Sequence, residues 1–157
     1  MEPQEKFMRR AIELARQGMH SGAGGPFGAV IVRDGQIVGE GWNQVVALHD
    51  PTAHGEVTAI RDACSRLGDF RLTGCDLYTT GQPCPMCLGA IHWARISRIY
   101  YGFRIEDAAT IGFDDREFFE EFARPEAARK IPAADLIRAE ALQLIEEYRH
   151  LPQRTPY

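Results

Sequence analysis

No apolar run in this 157-residue chain approaches the 18 or so residues that a membrane-spanning helix needs. The first residues, Met1-Glu2-Pro3-Gln4-Glu5-Lys6, are polar and acidic, without the basic and then apolar order of a secretory signal, so the expected compartment is cytoplasmic. A dense basic tract is also missing. The formal net charge is −4, and Arg9, Arg10, Arg33, Arg61, Arg66, Arg95, Arg98, Arg129 and Lys130 are scattered along the chain. Binding to a polyanion rests on clustered cations that release counterions, so this scatter argues against a nucleic-acid partner, although folding can gather distant arginines. Repeats, linkers and low-complexity segments are absent too. Hydrophobic residues at 45% and charged residues at 25% leave no case for disorder. One domain spanning residues 1–157 is expected, since a chain of about 150 residues buries roughly 68–70% of its unfolded surface.

What is present reads as alternating elements. Phe7, Met8, Ile12 and Ala15 recur near helical spacing between Glu5 and about Met19, and Gly18 closes the pattern. Gly22 to Gly28 is a loop. Ala29-Val30-Ile31-Val32 and Ile37-Val38 flank Asp34-Gly35, a strong hairpin signal, so two antiparallel strands are expected over about 28–42. Val57, Ile60, Cys64 and Leu67 mark one face of a helix from His54 that Gly68 ends. Asp76 to Thr80 reads as a short buried strand, Pro83-Cys84-Pro85 starts a helix running to about Ala94, and Ile96 to Tyr101 is another strand. This order predicts a layered α/β domain with part of its sheet parallel. Asp115 to Phe122 and Leu136 to Tyr148 are expected as helices, with a strand as the alternative for Asp135-Leu136-Ile137.

Four cysteines stand at 64, 75, 84 and 87. In a reducing compartment a C-x-x-C pair reads as metal-binding or redox before it reads as a disulfide. Cys64 and Cys75 lack that spacing and are expected as buried small apolar residues. His54-Gly55-Glu56 opens one helix, and Pro83-Cys84-Pro85-Met86-Cys87 opens the next. A catalytic zinc site takes three nitrogen or thiolate ligands and leaves a fourth position for water, a count that His54, Cys84 and Cys87 supply. Thiolates at a helix start are favoured by free N–H groups and the positive end of the macrodipole. Glu56 is then left to move protons, taking one from a water that zinc has brought to a pKa of about 7. H-x-E followed by P-C-x-x-C is the signature of zinc nucleobase deaminases.

Other readings of these residues are weaker. A redox pair leaves His54 and Glu56 unexplained. A closed structural zinc site needs a fourth ligand, and neither His49 nor His92 has the spacing of one. His20, His49, His92 and His150 are expected at the surface or in local hydrogen bonds, and Trp42 and Trp93 in the core or an interface.

The sequence resembles the cytidine-deaminase-like superfamily, and within it most closely the bacterial guanine deaminases. The resemblance runs from about Phe7 to Arg124 and reappears at the last residue. It is carried by Gly24-Gly25-Pro26-Phe27-Gly28-Ala29-Val30, Asn43, Asp50 to Ile60, Pro83 to Ile91, and Gly112-Phe113-Asp114-Asp115. It implies a three-layer α/β/α sandwich with a central mixed sheet of about five strands, and a homodimer exchanging C-terminal segments. It also implies a zinc-dependent aminohydrolase acting on a free purine base, converting guanine to xanthine and ammonia. By motif position, Asn43 would hydrogen-bond the base, Phe27 would wall the pocket, Asp115 would accept from the guanine edge, and Tyr157 would close over the site. Each substrate residue also has a plainer reading: Asn43 as a turn residue, Asp114 and Asp115 as caps of the following helix, and Tyr157 as a frayed end.

Two departures from the family pattern stand beside the ligands: Gln82 where relatives usually carry Glu, and Gly55 in place of Ala. The open alternatives are another amino-heterocycle or nucleoside (aminotriazine, pterin, cytosine, guanosine), a tRNA adenosine deaminase, or a non-catalytic zinc module. Net charge and the paired acids disfavour the second, and Glu56 argues against the third.

Overall fold

The computed structural model describes residues 3–157, in two compact units: one ending at Phe118, the other running from Phe119 to Tyr157. In the first unit, α1 (Glu5–His20) precedes the hairpin β1 (Gly28–Arg33) and β2 (Gln36–Trp42). The hairpin turns at Asp34 and Gly35, with φ of 51° and 74°, the pair of positive values that a two-residue turn matched to strand twist requires. The short α2 (Val45–Leu48) leads into α3 (Gly55–Leu67), which ends at Gly68. Then come β3 (Asp76–Gly81), α4 (Pro85–Trp93), β4 (Arg98–Phe103), α5 (Ile105–Ala109) and the start of α6 (Arg116–Ala123).

The strands form one mixed sheet in the order β2-β1-β3-β4. The β1 pairings are antiparallel and β3 runs parallel to β4. Successive side chains of a strand point to opposite faces, and the core divides accordingly. Ala29, Ile31 and Leu77 pack with Ala59, Ala63 and Ile91 beneath α3 and α4. Val30, Val32 and Tyr78 pack with Phe7 and Leu14 of α1. Helices on both faces give the expected three layers. On β2, Gly39 and Gly41 let α3 lie backbone to backbone, since a Cβ at Gly41 would come 2.3 Å from the Ala59 nitrogen. That close approach fixes the height of the first turn of α3.

The described residues form four strands, not about five. The candidate for a further strand, Asp135 to Ile137, forms none: Ile137 has φ 43° and sits at the N-cap of α7 (Arg138–His150), a left-handed conformation outside the strand region. β4 begins two residues later than expected. Arg95 has φ 60° and the Ile96 and Ser97 N–H groups bond back to Ile91 and Cys75, so the chain is still turning there. The second unit holds the end of α6, a 3₁₀ turn (Glu126–Ala128) and α7. No residue of α7 is buried, and Leu144 and Ile145 are exposed. No helix among the described residues is long and apolar enough to cross a membrane.

Candidate metal and catalytic site

His54 is the N-cap of α3 and Cys84 the N-cap of α4, with Pro85 at the first helical position. Two helix N-termini therefore converge: α4 follows β3 directly, and α3 follows β2 by way of the short α2. The donor atoms of His54, Cys84 and Cys87 lie within 4.8 Å of one another. Nδ1 of His54 is 3.6 Å from the Cys84 sulfur and 3.5 Å from that of Cys87. Among the described residues no other group of three such side chains comes together. His20, His49, His92 and His150 are all exposed.

The charges within this cluster conflict when no cation is present. The Cys84 thiol is drawn down to about 4, first by its hydrogen bond with Cys87 and further by His54, against the opposing effect of burial. Its thiolate and burial in turn push Cys87 up, so two adjacent buried thiolates resist ionising together. His54 is raised chiefly by its hydrogen bond with Cys84. A divalent ion resolves this conflict, and one imidazole with two thiolates is a donor set for zinc. The residues fit the metal.

Glu56, in the first turn of α3, is buried, and desolvation raises its carboxyl. Its two oxygens have different partners. Oε2 accepts from the Cys87 sulfur at 3.4 Å, and Oε1 accepts from Thr79 Oγ1 of β3 at 3.2 Å. The next residue, Thr80, points to the other face, where its hydroxyl accepts from the Gly28 N–H at 3.1 Å and meets the Pro26 carbonyl oxygen at 3.2 Å.

A cavity of about 220 Å³ opens beside the cluster, with His54, Glu56, Cys84, Phe27, Asn43 and Asp115 in its wall. Phe27 is held edge-on by Phe103 at 5.7 Å and Phe113 at 5.0 Å. Asn43 is buried, and its Oδ1 accepts from the Val45 N–H at 3.2 Å, so it does turn the chain as well as wall the cavity. That bond leaves the amide nitrogen, a donor, as what Asn43 can offer a ligand.

The paired acids part company. Asp114 is taken by Arg116, at 2.6 Å and 2.7 Å, which lowers its carboxyl, and it also accepts from the Arg116 N–H as α6 begins. Asp115 faces the cavity instead, raised first by burial and then by Cys84. Tyr157 ends the second unit, where it is exposed. Trp42 packs in the α1 layer and Trp93 is exposed; neither lines the cavity. Cys75 is buried and Cys64 half-buried, as expected of spacing that makes no ligand pair.

The sequence reading missed Thr79, Pro51 and Phe113. Thr79 stands beside an identical Thr80 in β3, and only the face it points to marks it. Gln82 does line the cavity, as an uncharged amide.

Residues 1–103 match the model of the cytidine and deoxycytidylate deaminase zinc-binding region. The chain is 48% identical over 153 residues to a guanine deaminase of Bacillus subtilis (strain 168), covering 98% of each chain. Its fold matches an X-ray structure of guanine deaminase from Bacillus subtilis with a TM-score of 0.95 at 47% identity, covering 99% of each. It is also 43% identical over 117 residues to a tRNA-specific adenosine deaminase of Haemophilus influenzae, covering 71% of this chain and 67% of that one.

Proposed function

The chain belongs to the cytidine and deoxycytidylate deaminase zinc-binding family, and from that premise we propose that it is a zinc-dependent aminohydrolase converting guanine to xanthine and ammonia. One observation carries the reading: a buried carboxylate, Glu56, stands against the His54, Cys84 and Cys87 cluster in the wall of a cavity that also presents Asp115.

His54, Cys84 and Cys87 would hold the metal in this reading, and zinc bound there would supply a water activated at neutral pH. Glu56 would carry one proton from the attacking water to the ring nitrogen beside the amine-bearing carbon, and then the remaining proton of the added hydroxyl to the amine, which leaves as ammonia as the C–N bond breaks and the carbonyl forms. Asp115 accepts from the N–H donors of the guanine edge, and the amide nitrogen of Asn43 donates to a ring acceptor. Phe27, braced by two further rings, packs on the base. Tyr157 closes the site against water, in a homodimer that exchanges C-terminal segments. An α7 that leaves Leu144 and Ile145 in solvent supports the exchange, because exposed apolar residues of this size favour a covering surface. The reading places the enzyme in the cytoplasm, where its free thiols stay reduced.

The test is ammonia release by the zinc-loaded protein across guanine, adenine, cytosine, guanosine, a pterin and an aminotriazine. Guanine is expected to lead. A fully zinc-loaded protein that leaves guanine untouched would overturn the substrate assignment, and salt-sensitive binding of tRNA would point to the tRNA-acting relatives instead.

A further inference from the structure

Thr79 occupies the middle of β3, which lies between β1 and β4, and it is only 1% exposed. It pairs with Ala29 of β1 and Tyr101 of β4, and it points to the face that carries Leu77, Ala29 and Ile31. A hydroxyl is out of place among those neighbours, and burying one costs free energy unless it is hydrogen-bonded. Its partner is Oε1 of Glu56, at 3.2 Å, while the other oxygen of that carboxylate faces the Cys87 sulfur at 3.4 Å.

We propose that Thr79 is a positioning residue: its hydroxyl anchors Oε1 of Glu56 so that Oε2 alone is presented to the reacting groups. The inference rests on the deaminase reading of the site. A proton carrier that must take and return a proton on one side works best if its carboxyl cannot turn over between the two steps. A rotation that exchanged the two oxygens would have to break the bond to Thr79 on the way. The χ3 torsion of a glutamate is by itself broad and two-fold. The strand hydroxyl is what removes that freedom. Because the anchor lies on the sheet and the carboxylate on the helix, their spacing is set by the packing of α3 on β2, where Gly39 and Gly41 admit the helix backbone.

Thr79→Val keeps the shape of the side chain and removes only the donor, while Thr79→Ser keeps the donor. Both should hold one zinc per chain. Thr79→Val should lose about 10- to 100-fold in kcat on guanine with KM within about threefold of the parent, the pattern of a misplaced catalytic group. Thr79→Ser should recover most of that loss. A second readout is independent of turnover: the urea unfolding constants of Thr79→Val, Glu56→Ala and the double variant should be non-additive by about tenfold. Parental kcat in zinc-loaded Thr79→Val, loss of zinc together with activity, a serine no better than valine, or additive unfolding constants would each overturn the inference. If the parent releases no ammonia from guanine yet the unfolding constants stay coupled, the substrate assignment falls and the anchoring of Glu56 stands.

Discussion

Gly24 offers a sharp test of the cavity wall, because the atoms nearest to a Cβ built there all belong to Asn43, which is no metal ligand. A Cβ built there would lie 2.0 Å from Asn43 Oδ1 and 2.9 Å from both Asn43 Cγ and the Asn43 carbonyl oxygen. Its φ is not in the left-handed region, so Gly24→Ala adds a methyl group without backbone strain. The Asn43 backbone is pinned by its N–H bond to the Phe27 carbonyl at 2.8 Å, which leaves the side chain to yield. Turning the amide away breaks the Oδ1 bond to the Val45 N–H, worth about 1 kcal/mol. Holding it off its rotamer costs about 1 kcal/mol more. The sum, about 2 kcal/mol, corresponds to a fall in melting temperature of roughly 4–8 °C for a chain of this size. If Asn43 also donates to the base, losing that bond should cut kcat/KM for guanine about tenfold with zinc content unchanged. The assays are a thermal melt, metal analysis and steady-state kinetics, each repeated in an Asn43→Ala background, where the side-chain clash is gone, only the 2.9 Å approach to the carbonyl oxygen remains, and the methyl group should cost less. Parental kinetics in Gly24→Ala, or an equal penalty with and without Asn43, would refute the reasoning.

Other perturbations separate the roles of the remaining residues. Cys84→Ser should lose zinc and activity together by metal analysis and ammonia release, and full retention of both would remove Cys84 from the ligand set. Glu56→Gln should keep zinc and lose about 10²- to 10⁴-fold in kcat, the range for a positioned proton carrier; a parental rate moves the acid/base role elsewhere. Asp115→Asn should weaken guanine more than a substrate lacking its donor edge, as compared by kcat/KM, and equal losses on both would count against recognition by Asp115. Deleting Pro156 and Tyr157 should leave zinc content and melting temperature nearly unchanged while cutting guanine turnover sharply, so unchanged kinetics would dispose of the lid.

The metal cluster was legible in the sequence because its donors sit in a motif at two helix starts: Pro85 marks the start of α4, and the apolar spacing that ends at Gly68 runs back to His54 at the start of α3. The hairpin was equally plain at Asp34-Gly35. Part of what escaped has one cause, that neighbouring identical residues carry no directional signal. Thr79 and Thr80 are alike in the sequence, and only the sheet assigns one to Glu56 and the other to Gly28. Asp114 and Asp115 are alike until Arg116 captures the first. Helices as short as α2 and α5 span too few turns for periodicity to register. The β4 offset and the missing fifth strand turn on left-handed φ values at Arg95 and Ile137, residue types that give no warning of them.

The two threonines of β3 also bear on how this sequence can drift. Thr79 ties the strand to the helix that carries Glu56, and Thr80 ties it to the loop that carries Phe27. Substitutions along β3 act one at a time, but an inserted or deleted residue before Thr79 would rotate every later side chain to the opposite face. Each hydroxyl would then leave its own partner and only one of the two sites could be refilled, by the other threonine, while Leu77 and Tyr78 would exchange core layers if the slip began earlier. Among relatives that keep this chemistry, β3 should therefore hold its length and a hydroxyl at the position of Thr79 while its other residues vary, with changes in length confined to the turns on either side of it.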